Sequence, residues 1–281
     1  MPSMLDHHHT GIGPLPLLLA TVLVAYWLAA ARQRRLGRRW SLLRGLSFAL
    51  RLSLLALAFT PAVSAFAHHD MRGHMLQHLL LGMFAPLPLV LAAPGTLLLR
   101  TVPARAARAG VRFLARRPVR ALIHPFTALL LDMGGMYLLY LTPLYALSLD
   151  QPLPHALVHA HFLIAGYLFT WAIAGPDPAP HRPGLRLRLA VLFLGGAAHA
   201  ILAKLMYAYH WPRGTPHSLE QIQAAAQWMY YGGDAAELLL AVAFFSIWFR
   251  RRASGSAVGR RERHTPGMHL DQTSRAPWSG G

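Results

Sequence analysis

Residues 68–99 read HHDMRGHMLQHLLLGMFAPLPLVLAAPGTLLL. From His74 onward the stretch is apolar for long enough to cross about 30 Å of hydrocarbon at about 1.5 Å per residue. Its opening, His68 to His78, holds four histidines, two methionines and an aspartate. Imidazole, thioether and carboxylate are metal ligands, and a mixture of His with Met suits copper better than most ions. Polar side chains at the start of a membrane span are costly and usually functional. The stretch therefore predicts a metal or redox site at one face of a membrane protein.

The rest of the chain agrees with a membrane setting. Of its 281 residues, 54% are hydrophobic and 13% are charged, against about a quarter charged in a soluble domain. The formal charge of +17 raises the question of nucleic acid. The arginines, however, sit in short clusters between apolar runs, so no nucleic-acid partner is expected. There is no cysteine, which excludes disulfides, thiolate metal sites and iron–sulfur clusters.

Seven spans follow from the apolar runs: 14–31, 45–66, 74–99, 121–147, 155–174, 189–210 and 225–249. The first has its positive charges after it and no small-residue cleavage pattern, so it reads as a retained helix. Arginines fill alternate loops. Segment 32–44 carries Arg32, Arg34, Arg35, Arg38, Arg39 and Arg44, segment 100–120 carries seven arginines, and segment 175–188 carries Arg182, Arg186 and Arg188. The tail opens with Arg250, Arg251 and Arg252, whereas the intervening loops hold only Arg72 and Arg213. The positive-inside rule then puts the N-terminus outside and the C-terminus in the cytoplasm. The expected fold is an all-α integral membrane protein of the cell inner (plasma) membrane. It has an outer segment 1–13, a seven-helix domain 14–249 and a disordered cytoplasmic tail 250–281. Arg105, Arg108, Arg112 and Arg116 form one face of a helix over 104–117 lying on anionic lipid.

On this topology most histidines face outward. His7, His8 and His9 precede span one, and His210 and His217 follow span six. His74 and His78 are four apart, as are Met71 and Met75, and as are His155 and His159. Residues four apart share a helix face, so one helix can offer two ligands to one ion. His161 opens span five with them, and His199 lies within span six. Asp132, Lys204, Asp234 and Glu237 are the other polar groups inside the membrane, with Lys204 and Asp234 expected to pair.

At this point a family resemblance enters. Gly73-His74-Met75-Leu76-Gln77-His78-Leu79-Leu80-Leu81, then Ala85-Pro86 and Ala93-Pro94-Gly95, resembles the signature of the multi-span CtaG family of cytochrome c oxidase assembly factors. Leu141-Thr142-Pro143-Leu144-Tyr145, His155-Ala156-Leu157-Val158-His159-Ala160-His161-Phe162, Gly166-Tyr167-Leu168-Phe169, Gly175-Pro176-Asp177-Pro178 and Ala198-His199-Ala200 extend it over about residues 10–250. The resemblance implies a non-enzymatic role in assembling a haem–copper oxidase, with oxidase subunits and membrane lipid as partners and copper as the handled metal. By position it implies His74, His78, His159 and His199 as functional residues. Some members have a Trp-His pair before the span-four proline, where this chain has Tyr140 and Leu141.

The residues themselves leave rivals open. Facing histidines on spans three and five also suit axial haem ligation in a haem-binding or quinol-linked redox protein. A transporter would move copper or protons along Asp132, Lys204, Asp234 and Glu237. A retinal protein would use Lys204, but that lysine stands in span six rather than in the last span.

Overall fold

The computed structural model describes residues 14–177 and 182–263. The expected outer segment 1–13 with His7, His8 and His9, the loop residues around His181, and residues 264–281 lie outside the described residues. Everything regular in the described part is helical, as a bilayer demands of a chain that must satisfy its backbone internally. Five helices are long and apolar enough to cross a membrane, or up to seven if each of two bent pairs is one span; the spans below are numbered on that count.

Prolines place most of the helix starts, because the first helical residue needs no N–H donor. The first span is α1 (Pro14–Arg35). The second is a bent pair, α2 (Leu42–Ala58) and α3 (Pro61–His69), at 51°. Thr60 turns the corner: its hydroxyl caps α3 by accepting from the Val63 N–H at 3.4 Å, and Pro61 follows at the first helical position.

The third span is built in pieces: α4 (Met71–His78), a π turn (Leu79–Phe84), α5 (Pro86–Ala92) and α6 (Pro94–Thr101). Pro86 has no N–H to give the Gly82 carbonyl, and the Ala85 N–H reaches back to the Leu80 carbonyl at 2.9 Å instead. That wider register is the π turn. The Gly82 carbonyl faces Gly166 on α11 (Pro152–Ala174), where any added Cβ would collide with it. Two helices thus meet at backbone distance directly below the histidines. Ala93, in the left-handed conformation before Pro94, ends α5 and redirects the chain into α6.

Beyond α6, the arginine-rich segment forms α7 (Ala104–Leu114) and α8 (Arg117–Leu122), neither of which buries a residue. The helix expected over 104–117 is therefore real but shorter. Pro118 forces a fresh start, and Arg116 becomes the cap of α8 rather than part of the Arg105–Arg108–Arg112 stripe. The fourth span is the second bent pair, α9 (Pro125–Tyr140) and α10 (Leu144–Asp150), at 75°. The bend falls at Thr142-Pro143, where the Thr142 hydroxyl donates to the Leu138 carbonyl at 2.5 Å and accepts from the Leu144 N–H at 3.2 Å.

The sixth and seventh spans are α12 (Leu185–Tyr209) and α13 (Leu219–Arg263). The expected disorder from residue 250 onward is not what the described part shows, because α13 continues to Arg263. Extending a helix already nucleated in the membrane needs only one more hydrogen bond per residue.

Two cores run through the bundle. One gathers Met71, Met75 and Leu79 with side chains from α9, α10, α11, α12 and α13, including Tyr140, Tyr145, Phe162 and Met206. The other, toward the arginine-rich end, joins Ala128, Phe169, Ile173, Val191, Leu240 and Phe244. A smaller cluster of Tyr26, Trp40, Phe48 and Leu97 fastens α1 to α2 and α6 at the periphery.

Candidate functional site

Asp70 sets the start of α4. Its carboxylate accepts from the Arg72 backbone N–H at 2.8 Å and pairs with the Arg72 guanidinium at 2.5 Å. That hydrogen bond from Arg72 holds the Asp70 carboxyl below the usual carboxylate range, against the opposing effect of burial. With its first turn anchored, α4 presents His74 and His78 one turn apart, both 3% exposed.

The two rings have different neighbours. His74 meets the Tyr140 hydroxyl through Nε2 at 3.2 Å and lies edge-on to Tyr145 at 4.7 Å. The bend between α9 and α10 is what brings both tyrosines to it. Tyr145 in turn meets His217 Nε2 at 3.1 Å, so the loop before α13 covers this end of the site. Burial pushes the His217 imidazole below its ordinary pKa, with Asp70 and Gln221 acting in the opposite direction.

His78 lies one turn deeper, against Phe162 at 4.5 Å and the Gly82 backbone. Opposite it stands His199 of α12, 1% exposed, with its ring 6.3 Å away and tilted by 19°. The His199 ring is seated on Gly233, where any added Cβ would strike it. Both ring nitrogens of His78 and Nε2 of His199 are buried without a hydrogen-bond partner. Buried polar groups are almost always partnered, so each such atom calls for an explanation.

His159 of α11 comes from the other side, 6.5 Å from His74. Its Nε2 faces Gln77 Oε1 at 3.2 Å, its Nδ1 faces the His155 carbonyl at 2.9 Å, and Gln77 is held by donating to the Ala58 carbonyl at 2.8 Å. A neutral imidazole carries one N–H, so His159 donates to only one of these acceptors at a time. The His155 ring lies 4.4 Å from that of His159, tilted by 52°, and His68 of α3 stacks 5.3 Å from His155.

The structure thus brings His74, His78, His155, His159 and His199 together, and the rings meet in pairs. Among the described residues no three His, Asp or Glu side chains converge closely enough to hold one ion jointly. Met71 and Met75 are fully buried in the core beside α4. His161 faces away: its Nε2 donates to the Leu131 carbonyl at 3.0 Å, and its ring packs on Gly135 in an apolar groove of about 560 Å³.

The other intramembrane polar groups do not join this cluster. Lys204 and Asp234 do not pair as expected. Lys204 is exposed and lies 5.5 Å from the centre of the Tyr230 ring, while Asp234 lines a shallow groove with Glu237. Similar depth on adjacent helices does not guarantee contact, and both side chains point off the bundle. Asp132 is half-buried on α9.

Sequence reasoning missed several participants. Gln77 stands inside the quoted motif as the tether of His159, and Tyr140 occupies a position where some relatives carry Trp. The methionines were also underread. Met71, Met75, Met83, Met133, Met136, Met206 and Met229, which are all the methionines among the described residues, belong to or pack against one core. They come from the third span, α9, α12 and α13, so only the packing of those helices brings the seven together.

Residues 24–251 match the family described as cytochrome c oxidase caa3 assembly factor (Caa3_CtaG). The chain belongs to this family. Among curated proteins, this chain is 28% identical over 283 residues to uncharacterised proteins of Mycobacterium bovis and Mycobacterium tuberculosis (strain CDC 1551 / Oshkosh), covering 94% of this chain and 42% of each relative. An uncharacterised protein of Mycobacterium leprae (strain TN) is 34% identical over 186 residues, 63% of this chain and 28% of that protein. The chain therefore spans less than half the length of these relatives. No solved structure matches it. The family match covers every histidine of the cluster, from His68 to His199.

Proposed function

We propose that this Caa3_CtaG chain takes up copper at its histidine-rich face and hands it to a subunit of a haem–copper oxidase during assembly. It acts as a metal carrier and catalyses no reaction. The arginine clusters support an orientation with the histidine-rich face outside the plasma membrane and the C-terminus in the cytoplasm, with the exposed helix α7 resting on anionic lipid.

One observation carries the reading: His78 and His199 face each other in the core with three ring nitrogens lacking any partner. The two rings lie 6.3 Å apart and near-parallel at 19°, and a rotation of each ring would aim an in-plane nitrogen at one shared ion at the usual metal–imidazole distance of about 2.0 Å. Cu(I), a soft closed-shell ion, accepts two ligands, and the thioethers of the surrounding methionine-rich core suit it. Pairwise rather than threefold convergence also fits a carrier, which must release its ion. Phe162 and the backbones of Gly82 and Gly233 crowd both rings, which favours a small ion over a flat macrocycle such as haem.

The test is copper retention. Detergent-purified protein is loaded anaerobically with Cu(I) and washed against a competing chelator, beside the His78→Ala/His199→Ala double variant. Stoichiometric copper in the parent and none in the variant is the expected result. A parent that keeps no copper would refute the reading.

A further inference from the structure

Six histidine rings form a series graded in burial, joined by ring contacts except between His74 and His78, which share one face of α4. His68 is exposed, His155 half-buried, His159 buried, and His74, His78 and His199 lie deeper still. Ring centres along it are separated by 5.3 Å from His68 to His155, 4.4 Å from His155 to His159 and 6.5 Å from His159 to His74. His74 and His78 are one turn apart on α4, and His199 lies 6.3 Å beyond His78. Four helices, α3, α11, α4 and α12, contribute in turn. Burial deepens along the contacts and does not follow the order of the sequence.

The local geometry suits a path better than a store. The outer pair, His68 and His155, comes from two separate helices, with rings tilted by 17°. The His155 ring is held by a hydrogen bond to the Ser148 backbone, while the exposed His68 ring can meet an arriving ion from solvent. The middle rings are lightly held: His159 by the Gln77 amide and a helix carbonyl, His74 by the Tyr140 hydroxyl. Each of these contacts can be exchanged for a metal bond at the cost of one hydrogen bond. The innermost pair has no such contacts to break.

We infer that His68 and His155 form a loading station for a monovalent copper ion, and that His159 and His74 relay the ion inward to His78 and His199. This rests on the copper reading above and adds to it a transient entry site, empty at equilibrium, and a direction. Each step is a ligand exchange: a bond to the next imidazole nitrogen forms as the bond to the previous one breaks, and no electron moves. Neighbouring rings hold the next ligand at high effective concentration, so each transfer is intramolecular. Occupancy ends at His78/His199 because there the metal replaces no existing partner. Release to a client would run the series in reverse.

Loading kinetics test this. Cu(I) is presented to the full chain in detergent as its complex with a chromogenic chelator, and transfer is followed by loss of the chelator's colour. The His68→Ala/His155→Ala variant changes only exposed and half-buried positions. It should retain as much copper at equilibrium as the parent while loading about tenfold more slowly or worse. His69→Ala, beside the station but outside the ring series, should load at the parent's rate. His159→Gln keeps a hydrogen-bonding side chain at the relay position and should slow loading as well, with equilibrium retention intact. If the parent and the double variant retain copper and load equally fast, the loading station is wrong while the inner site stands. If the parent retains no copper, the inner site and the route fail together.

Discussion

Asp177 and His78 are both buried polar residues, yet the bundle treats them in opposite ways. At the arginine-rich end, Asp177 accepts from the Gly95 N–H at 3.2 Å and the Thr96 N–H at 2.8 Å, and from the Thr96 hydroxyl at 2.5 Å. It caps the start of α6, next to the carbonyl of Ala92 that the Tyr26 hydroxyl satisfies at 2.8 Å. Gln33 likewise donates to the Arg100 carbonyl at 3.1 Å and so ties α1 to the end of α6. These groups repair the chain breaks that Pro94 imposes. At the histidine-rich end, His78 and His199 repair nothing. A buried polar group that holds a helix end is architecture; one that holds nothing in the folded chain points to a ligand.

Two glycines give the sharpest way to separate the ends of that comparison. A Cβ at Gly166 would strike the Gly82 backbone carbonyl, which cannot move without shifting a helix. Gly166→Ala is therefore expected to destabilise the protein by about 3 kcal/mol, the upper end for overpacking, read as a large drop in melting temperature in detergent. A Cβ at Gly233 would strike only the His199 ring, the far end of a side chain. Gly233→Ala should melt close to the parent while losing most of its copper retention. Equal melting of the two variants would mean that the Gly166 crossing is not what holds α11 to the third span.

Asp177→Ala should act in the converse sense. Removing a helix cap costs about 0.5–2 kcal/mol, so the melting temperature should fall moderately while copper retention stays at the parent level. If copper were lost as well, the two ends would be coupled, and the division drawn above would not hold.

How much of this was legible in the sequence follows from what kind of signal each feature leaves. Spans are long and apolar, and arginine clusters separate them, so the all-helical membrane character could be read directly, with five to seven candidate spans in the structure. The corners at Thr60-Pro61 and Thr142-Pro143 were visible as prolines, but not their angles of 51° and 75°, which depend on packing. The pairing of His74 with His78 follows from helix periodicity. The meeting of His78 with His199, or of His68 with His155, depends on helix rotation and neighbour order, which one chain's pattern does not encode. The Lys204–Asp234 pair failed for that reason: the sequence does not give the direction in which each side chain faces, and both are exposed. Asp177 stood in a quoted motif without a role, because its partners at Gly95 and Thr96 are far away in sequence.

The loop over the histidine-rich end gives a smaller, pH-dependent effect. Asp70 and His217 both have folded pKa values below their unfolded ones, Asp70 chiefly through Arg72 and His217 chiefly through burial. In each case the unfolded chain binds protons more readily, so stability is fully present above the unfolded value and is lost as pH falls toward the folded one. The unfolded values are about 6.5 for His and about 3.9 for Asp, which places the His217 loss first on acidification and the Asp70 loss below it. His217→Gln, which can still meet the Tyr145 hydroxyl, should lose less melting temperature than the parent between neutral and mildly acidic pH. Parallel curves for the two proteins would show that His217 does not carry this dependence.

The smallest expected effect concerns Tyr140, the residue that stands where some relatives have Trp. Its hydroxyl is the recorded hydrogen-bond partner of His74, at 3.2 Å, while its ring packs into the core and is fully buried. Tyr140→Phe keeps the ring and removes only the hydroxyl, leaving His74 Nε2 without its partner. Fold and equilibrium copper should change little, because the inner pair is untouched. The relay should change, since His74 then has no hydrogen bond to give up when the ion arrives. Loading of Tyr140→Phe is therefore expected to be slightly faster than the parent's in the chelator assay. A slower variant would mean that the hydroxyl orients the His74 ring toward the ion and does not compete with it.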